Sequence, residues 1–473
     1  MKKLLLSIIL FTAHSFVINA QWNQITPIVF DGAMNGDIAF ADIDGDNDQD
    51  VLITGDNGTE KITKLYTNNG SGTFTLVTGT PFDGVSYSSI AFADIDGDND
   101  QDVLITGDNG TEKIAKLYIN NGSGTFTLAT GTPFDGVSYS SIAFADIDGD
   151  NDQDVLITGD NGTEKTTRLY TNNGSGTFTL VTGTPFVNIS NGSIAFADVD
   201  GDNDQDLLIT GSDNVSMSQS TATLYTNNGS GIFTKVTPAV FDAVRNSSIS
   251  FADIDGDNDQ DLLISGISGL RETILYTNSG NGTFTKVTGT PFQGLSDGSV
   301  AFADIDNDND QDLLITGWSG DEGVSKLYTN NGSGTFTEVT GTPFENVYNS
   351  SIAFADIDGD NDQDIFITGY SFRTGYNSQE ISKLYRNSAI VGILETVNEI
   401  DFKLYPNPVF NQLSIINNEL SILKIDIIDV MGKTIKTITE NTNSIDVSEL
   451  SKGTYFIKIQ TTKRQINKRL VKM

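Results

Sequence analysis

The string Ala-Asp-Ile-Asp-Gly-Asp-Asn-Asp-Gln-Asp, or a near copy, sets what this chain can fold into. Its first aspartate falls at Asp42, Asp94, Asp146, Asp198, Asp253, Asp304 and Asp356, at intervals of 52, 52, 52, 55, 51 and 52 residues. A repeat of this length is one supersecondary unit, too small to bury its own apolar face, so successive units must stack. Four strand candidates fill each period. Ser89–Asp94 alternates Ile and Phe with small residues, and Asp50–Gly55 is a buried-looking run. Lys64–Asn68 follows, and Thr73–Thr78 alternates after an Asn-Gly-Ser-Gly turn. No segment has a helical period. Four short strands about every 50 residues is the size of a propeller blade. A nonapeptide β-helix would repeat far more often.

The aromatic positions extend this to a closed ring. The third-strand tyrosine recurs at Tyr66, Tyr118, Tyr170, Tyr225, Tyr276, Tyr328 and Tyr385. The fourth-strand aromatic appears at Phe74, Phe126, Phe178, Phe233, Phe284 and Phe336 and is then missing. Trp22 lies 52 residues before Phe74, and Phe30 lies 52 before Phe82. One strand from the start and three from the end therefore predict a seventh blade, which removes open sheet edges. The fold class expected is all-β: a seven-bladed β-propeller over 21–387, a linker over 388–400 and a small β-sandwich over 401–473.

Five aspartates in nine residues repel one another, and folding alone gives no reason to crowd them. Hard oxygen ligands at alternate positions of a tight loop are what Ca²⁺ requires, with the seventh position often ligating through its backbone carbonyl. Gly45 and Asn47 suit the unusual backbone angles of such a loop. An EF-hand needs a glutamate at position 12, where this chain has Ile53, and the loop runs into a strand rather than a helix. The first copy offers Asp42, Asp44, Asp46, Asp48 and Asp50, and the second Asp94, Asp96, Asp98, Asp100 and Asp102. The third has Asp146, Asp148, Asp150, Asp152 and Asp154, and the fourth Asp198, Asp200, Asp202, Asp204 and Asp206. The fifth has Asp253, Asp255, Asp257, Asp259 and Asp261, and the sixth Asp304, Asp306, Asp308, Asp310 and Asp312. The seventh has Asp356, Asp358, Asp360, Asp362 and Asp364. Up to seven structural Ca²⁺ ions are expected, and Asn307, standing for the usual Gly, predicts a weaker sixth site.

These loops and strands resemble the FG-GAP/VCBS-type repeats of integrin α-subunit propellers and of many bacterial secreted proteins, over about 21–388. The resemblance implies that the loop joins the first and second strands of each blade. It also implies that Asp42, Asp44, Asp46 and Asp50 ligate through side chains and Asp48 through its carbonyl, with the other copies alike. The phenylalanine-glycine element is degenerate, as Phe82-Asp83-Gly84 or Phe186-Val187-Asn188.

Composition narrows the chemistry. Acidic residues number 63 against 27 basic, a net charge of −36, which opposes nucleic acid and anionic membranes alike. There is no cysteine, and the one histidine, His14, lies in residues 1–20, whose Lys2-Lys3, apolar run and Ala20 read as a secretory signal peptide. The mature chain then has neither His nor Cys for catalysis, and no later segment is apolar enough to span a bilayer.

Strand order puts the acidic loops and the Asn-Gly-Ser-Gly turns on one face. On the other, the loops diverge and gather Trp318, Tyr370, Phe372, Arg373, Tyr376 and Arg271, with Arg245 and Tyr348 nearby. Variable loops on a rigid scaffold, carrying aromatics and arginine, form a candidate ligand face.

After Ser388 the repeat ends. Residues 401–473 lack acidic loops and alternate strands with Asn-Pro and Met-Gly turns. Tyr405-Pro406-Asn407-Pro408 and Gly453-Thr454-Tyr455 resemble the type A sorting domain of type IX secretion. That implies the export machinery as a partner and a protein that is released or attached at the cell surface. The function expected is a non-catalytic, calcium-stabilised module binding an extracellular glycan or protein. The alternatives are a polysaccharide lyase or hydrolase working through two carboxylates, and a purely structural surface-layer component.

Overall fold

The computed structural model describes residues 22–26, 30–213, 220–372, 378–388, 403–405, 407–416, 422–429, 433–439, 444–461 and 465–473. The signal-peptide reading of 1–20 and the linker 388–400 fall, apart from Ser388, outside them. The chain divides into two compact units, Met1–Ala389 and Ile390–Met473. Every described regular element is a strand.

Among the described residues, the first unit holds seven four-stranded antiparallel sheets, built as the repeat predicts. In the first, Ile38–Ala41, Asp50–Asp56, Lys61–Thr67 and Thr75–Leu76 lie side by side in chain order. The second strand has an apolar centre because sheets cover both its faces: Val51, Leu52 and Ile53 are fully buried. Its register pairs Phe40 with Val51 and Val51 with Tyr66. The fourth strand is two residues long in six of the seven sheets, Thr75–Leu76 being typical, and three in the other, Thr337–Val339. A short outer strand leaves little free edge for another chain to pair with.

The seventh sheet is composite. Tyr348–Ala355, Asp364–Ser371 and Gln379–Arg386 come from the end of the unit, and Asn23–Gln24 from its beginning. Asn23 pairs with Arg386 and Gln24 with Tyr385. The side chains complete the match. In the first sheet the Phe30 ring meets Tyr66 at 4.9 Å and Phe74 at 5.3 Å, and the same trio recurs as Phe82 with Tyr118 and Phe126. In the seventh, Phe344 meets Tyr385 at 5.0 Å and Trp22 at 5.4 Å. Trp22 therefore stands where the other sheets place a fourth-strand phenylalanine. The degenerate Phe82 element has a packing role as the middle ring of its trio.

Trp22 is 8% exposed and belongs to the core cluster around Val347, Ile365 and Tyr385. Trp22→Ala is expected to cost about 3–5 kcal/mol, the range for deleting a buried large aromatic. Urea unfolding of the variant checks this, and a midpoint equal to wild type contradicts the seam described here.

The sheets follow one another, and the seventh bonds back to the first. Asn35 N–H donates to Asn349 O at 3.0 Å. Asp37 stands where the other copies have a serine directly before the first-strand Ile or Val, such as Ser89, Ser141 and Ser351. Its carboxylate accepts from Ser351 Oγ at 2.9 Å and from Ile90 N–H at 3.0 Å, tying the seventh, first and second sheets together. Burial raises its pKa above the usual carboxylate range, and these donors pull the other way. A cavity of 430 Å³ is lined by the first strands of four sheets, with Phe40, Phe92, Phe144 and Phe196.

The second unit has two sheets. Lys403–Tyr405, Gln412–Ile416 and Ser444–Asp446 form one. Thr434–Ile438, Ile422–Asp429, Gly453–Thr461 and Gln465–Lys472 form the other, in that order. Both feed one core, with Leu413, Ile415 and Ile445 from the first and Ile425, Ile427, Ile457, Ile459 and Leu470 from the second. This is the small β-sandwich expected. Asn407 pins its last strand, donating through Nδ2 to Arg469 O at 2.8 Å and accepting at Oδ1 from Val471 N–H at 2.9 Å.

Candidate metal loops and the opposite face

Each acidic loop is folded by its own carboxylates. Asp42 accepts from Gly45 N–H at 2.8 Å and from Asn47 N–H at 3.0 Å, and Asp46 accepts from Asp48 N–H at 3.0 Å. Gly45 at φ +78° and Asn47 at φ +68° are in the left-handed region this winding needs, which glycine and asparagine tolerate. The sixth loop keeps the conformation with Asn307 at φ +60°, but its first bond moves on one residue, to Asp308 N–H at 3.2 Å.

The winding brings Asp42, Asp44 and Asp50 together, one oxygen from each within 4.8 Å of the others, and the same grouping recurs in the next four copies. Asp46 lies against Asp44. The Asp48 carboxylate instead turns toward the Asn-Gly-Ser-Gly turn, where a Cβ on Gly70 would come within 2.6 Å of its oxygens. Asp50 is 1% exposed, with Oδ2 accepting from Ile43 N–H at 3.1 Å and Oδ1 from Asn68 N–H at 2.7 Å.

The loops concentrate uncompensated negative charge. Asp44 Oδ1 and its counterparts on Asp96, Asp148, Asp200, Asp255 and Asp306 are buried without a hydrogen-bond partner. Burial first, then the neighbouring Asp46 charge, raises the Asp44 pKa. Burial pushes Asp50 up to about 6 despite its two backbone donors, and Asp312 up to about 7. A buried carboxylate oxygen with no donor is costly unless a cation satisfies it. These aspartate clusters can hold metal ions.

Sequence reading missed what links the loops. Asn68 donates through Nδ2 to the carbonyl of Ile357, inside the neighbouring sheet's acidic loop, at 2.8 Å, and Gly72 N–H donates to the same oxygen at 2.9 Å. Asn120 and Asn172 do the same to Ile43 and Ile95 at 2.8 and 2.7 Å. Asn227, Asn278, Asn330 and Asn387 repeat the bond to Ile147, Val199, Ile254 and Ile305. With its backbone on Asp50 and its side chain on the next sheet, each asparagine couples a loop's shape to a sheet junction. The signal was present as an asparagine two places after every third-strand tyrosine, but it read only as turn chemistry.

On the opposite face the structure gathers part of the candidate ligand group. Trp318 meets Tyr348 at 4.8 Å and Phe372 at 6.4 Å, and Tyr348 meets Tyr370 at 5.6 Å. Phe372 is 40% exposed. Arg271 donates from Nε to Ser296 Oγ at 3.1 Å, and its guanidinium borders Gly320. Arg373 and Tyr376 lie outside the described residues. A second aromatic pair, Tyr87 and Tyr139, stacks at 4.2 Å.

Comparison with known proteins agrees with this architecture. The FG-GAP-like repeat model matches residues 42–105, 94–157, 146–209, 212–264, 267–315 and 311–367. The secretion system C-terminal sorting domain matches 403–473. That sorting domain marks the protein for export through type IX secretion, to be released or attached at the surface, and no helix among the described residues is long and apolar enough to cross a membrane. No curated protein matches the chain. Among solved structures, a gluconolactonase of Xanthomonas campestris is similar at 11% identity and TM-score 0.36, over 77% of this chain and 100% of that one. A fructofuranosidase of Schwanniomyces occidentalis is similar at 11% and 0.27, over 75% and 78%.

Proposed function

We propose, on the premise that the chain belongs to the FG-GAP-like repeat family and ends in a secretion system C-terminal sorting domain, that it is a calcium-stabilised, seven-bladed propeller that binds an extracellular glycan or protein without chemically altering it. The orphaned, buried carboxylate oxygens support Ca²⁺ as the cation, since an all-oxygen set of aspartates on a tight loop suits a hard ion. Asp42, Asp44 and Asp50 are the side chains placed to hold it, with Asp46 beside them and the Asp48 backbone carbonyl completing the loop. The ion's work is structural: it neutralises the loop and, through the asparagine bonds, steadies each junction.

One observation carries the binding half of the reading. Trp318, Tyr348, Tyr370 and Phe372 converge on the face opposite the loops, and they come from divergent copies of an otherwise uniform repeat. Partly exposed aromatic rings stack on sugar faces and anchor peptide side chains. The calcium-loaded chain is to be screened on a glycan array and a polysaccharide panel, and Trp318→Ala is expected to weaken any binding found by tenfold or more. Binding without product supports the proposal. New reducing or unsaturated ends would replace it with a polysaccharide lyase or hydrolase, and silence across glycans and protein partners would favour a structural surface component.

A further inference from the structure

The seventh acidic loop faces a residue the others do not. The position after the third-strand tyrosine is Thr67, Ile119, Thr171, Thr226, Thr277 and Thr329 in the first six sheets and Arg386 in the seventh. Arg386 Nε lies 2.8 Å from Asp358 Oδ2, the second carboxylate of that loop, whose side chain is only 13% exposed. Arg386 also donates from Nη2 to Ser71 O in the first sheet at 2.8 Å. It packs over Gly72 so closely that a Cβ there would come 2.5 Å from Nη2. Its own backbone pairs with Asn23, where the two ends of the propeller chain meet without a covalent link.

We infer that the seventh loop is not a calcium site, because Arg386 is its resident cation, and that this guanidinium holds the ring's closing seam whether or not calcium is present. Asp358 keeps a buried Oδ1 like its counterparts, but its Oδ2 is already charge-paired. A divalent ion among Asp356, Asp358 and Asp364 would sit beside a fixed positive charge that cannot deprotonate, and would be repelled by it. The placement suits the seam. Elsewhere one strand runs on into the next within a sheet, so a junction loosened by calcium loss stays tethered. At Asn23 and Arg386 the sheet is held by hydrogen bonds and by the packing of Trp22 rather than by a continuous chain, and an arginine bridging Asp358 to Ser71 adds a link that chelation does not remove.

The inference rests on the calcium reading above, and the experiment separates their failures. Bound Ca²⁺ per chain is counted by native mass spectrometry and calorimetric titration for the wild type, Asp44→Asn, Arg386→Thr and Asp358→Asn. Expected are one ion fewer than the number of loops in the wild type, one fewer again in Asp44→Asn, and one gained in Arg386→Thr. Asp358→Asn is expected to leave the wild-type count unchanged. A wild type that fills every loop, or an Asp358→Asn chain that loses an ion, overturns the inference and leaves the calcium reading standing. Absence of Ca²⁺ from all four chains overturns that reading and this inference with it. Should Arg386→Thr not fold in chelator but fold in Ca²⁺, the metal-independent seam is supported; equal melting of it and the wild type in chelator counts against it.

Discussion

In EDTA the propeller is expected to melt at least about 15 °C below its calcium-loaded form, with added Ca²⁺ restoring the difference. Ligands that bind only the folded state stabilise it by mass action, about 2.7 kcal/mol for each site at a hundredfold excess over its Kd. Several loops acting together then contribute more than about 10 kcal/mol, comparable to the whole stability of an ordinary domain. The metal-free state also carries a large liability, since five acidic residues in each of seven loops account for 35 of the chain's 63. The sign of the pH dependence separates this from general salt effects. Without metal, Asp50, Asp102, Asp154, Asp206 and Asp261 have folded-state pKa values near 6, and Asp312 and Asp364 near 7. These lie above the ordinary aspartate value of about 3.9. The folded chain thus binds more protons than the unfolded one between those values. The stability these groups contribute is fully present below about pH 4 and is lost as pH rises toward 7. With Ca²⁺ the slope reverses at the loops that bind it, because protons compete with the ion for the same oxygens. Scanning calorimetry from pH 4 to 7, with and without Ca²⁺, tests both statements. A melt indifferent to chelation, or parallel slopes in the two series, contradicts a structural metal.

How far the sequence reveals this depends on whether a feature repeats. The four strands of each sheet, the loop positions and the Trp22 alignment were legible because each is a period carried through the chain. The length of the fourth strand was not: Thr73–Thr78 alternates throughout, yet only Thr75–Leu76 enters the ladder, with one further bond from Val77 N–H to Leu65 O. Alternation marks a half-buried strand but not how much of it finds a partner. Asn68 was hidden in another way. Asparagine beside Gly-Ser-Gly has a sufficient local explanation, and its bond to Ile357 spans 289 residues. Asp37 and Arg386 are single departures from the repeat, at positions where the other copies have Ser or Thr and Ile. A departure signals something only once its surroundings are known, and both prove to lie where the first and seventh sheets meet. On the opposite face, Tyr348 joins Trp318 to Tyr370, and Phe372 meets Trp318.

Removing residues 403–473 is expected to abolish export while leaving the propeller's calcium-loaded melt unchanged. Each sheet draws its strands from one unit, so the truncation takes no strand from the first. The second unit has its own core of Leu413, Ile425, Ile427, Ile457 and Leu470, as an independently folding domain requires. Its integrity depends on its two ends. The last strand, Gln465–Lys472, pairs along Gly453–Thr461 from Gly453↔Lys472 to Gln460↔Gln465, and Asn407 locks its backbone on both sides of Leu470. Asn407→Ala removes both bonds and is expected to reduce export in part, as a destabilised address does, whereas truncation removes the address itself. Fractionation of the producing bacterium gives the readout. The truncated chain should be retained in the periplasm, folded, with its melt still shifted by chelator. The same amount in the medium or at the surface, with and without 403–473, would mean that the sorting domain is not what the export machinery reads. A truncated chain that no longer melts cooperatively would mean that the propeller depends on the tail after all.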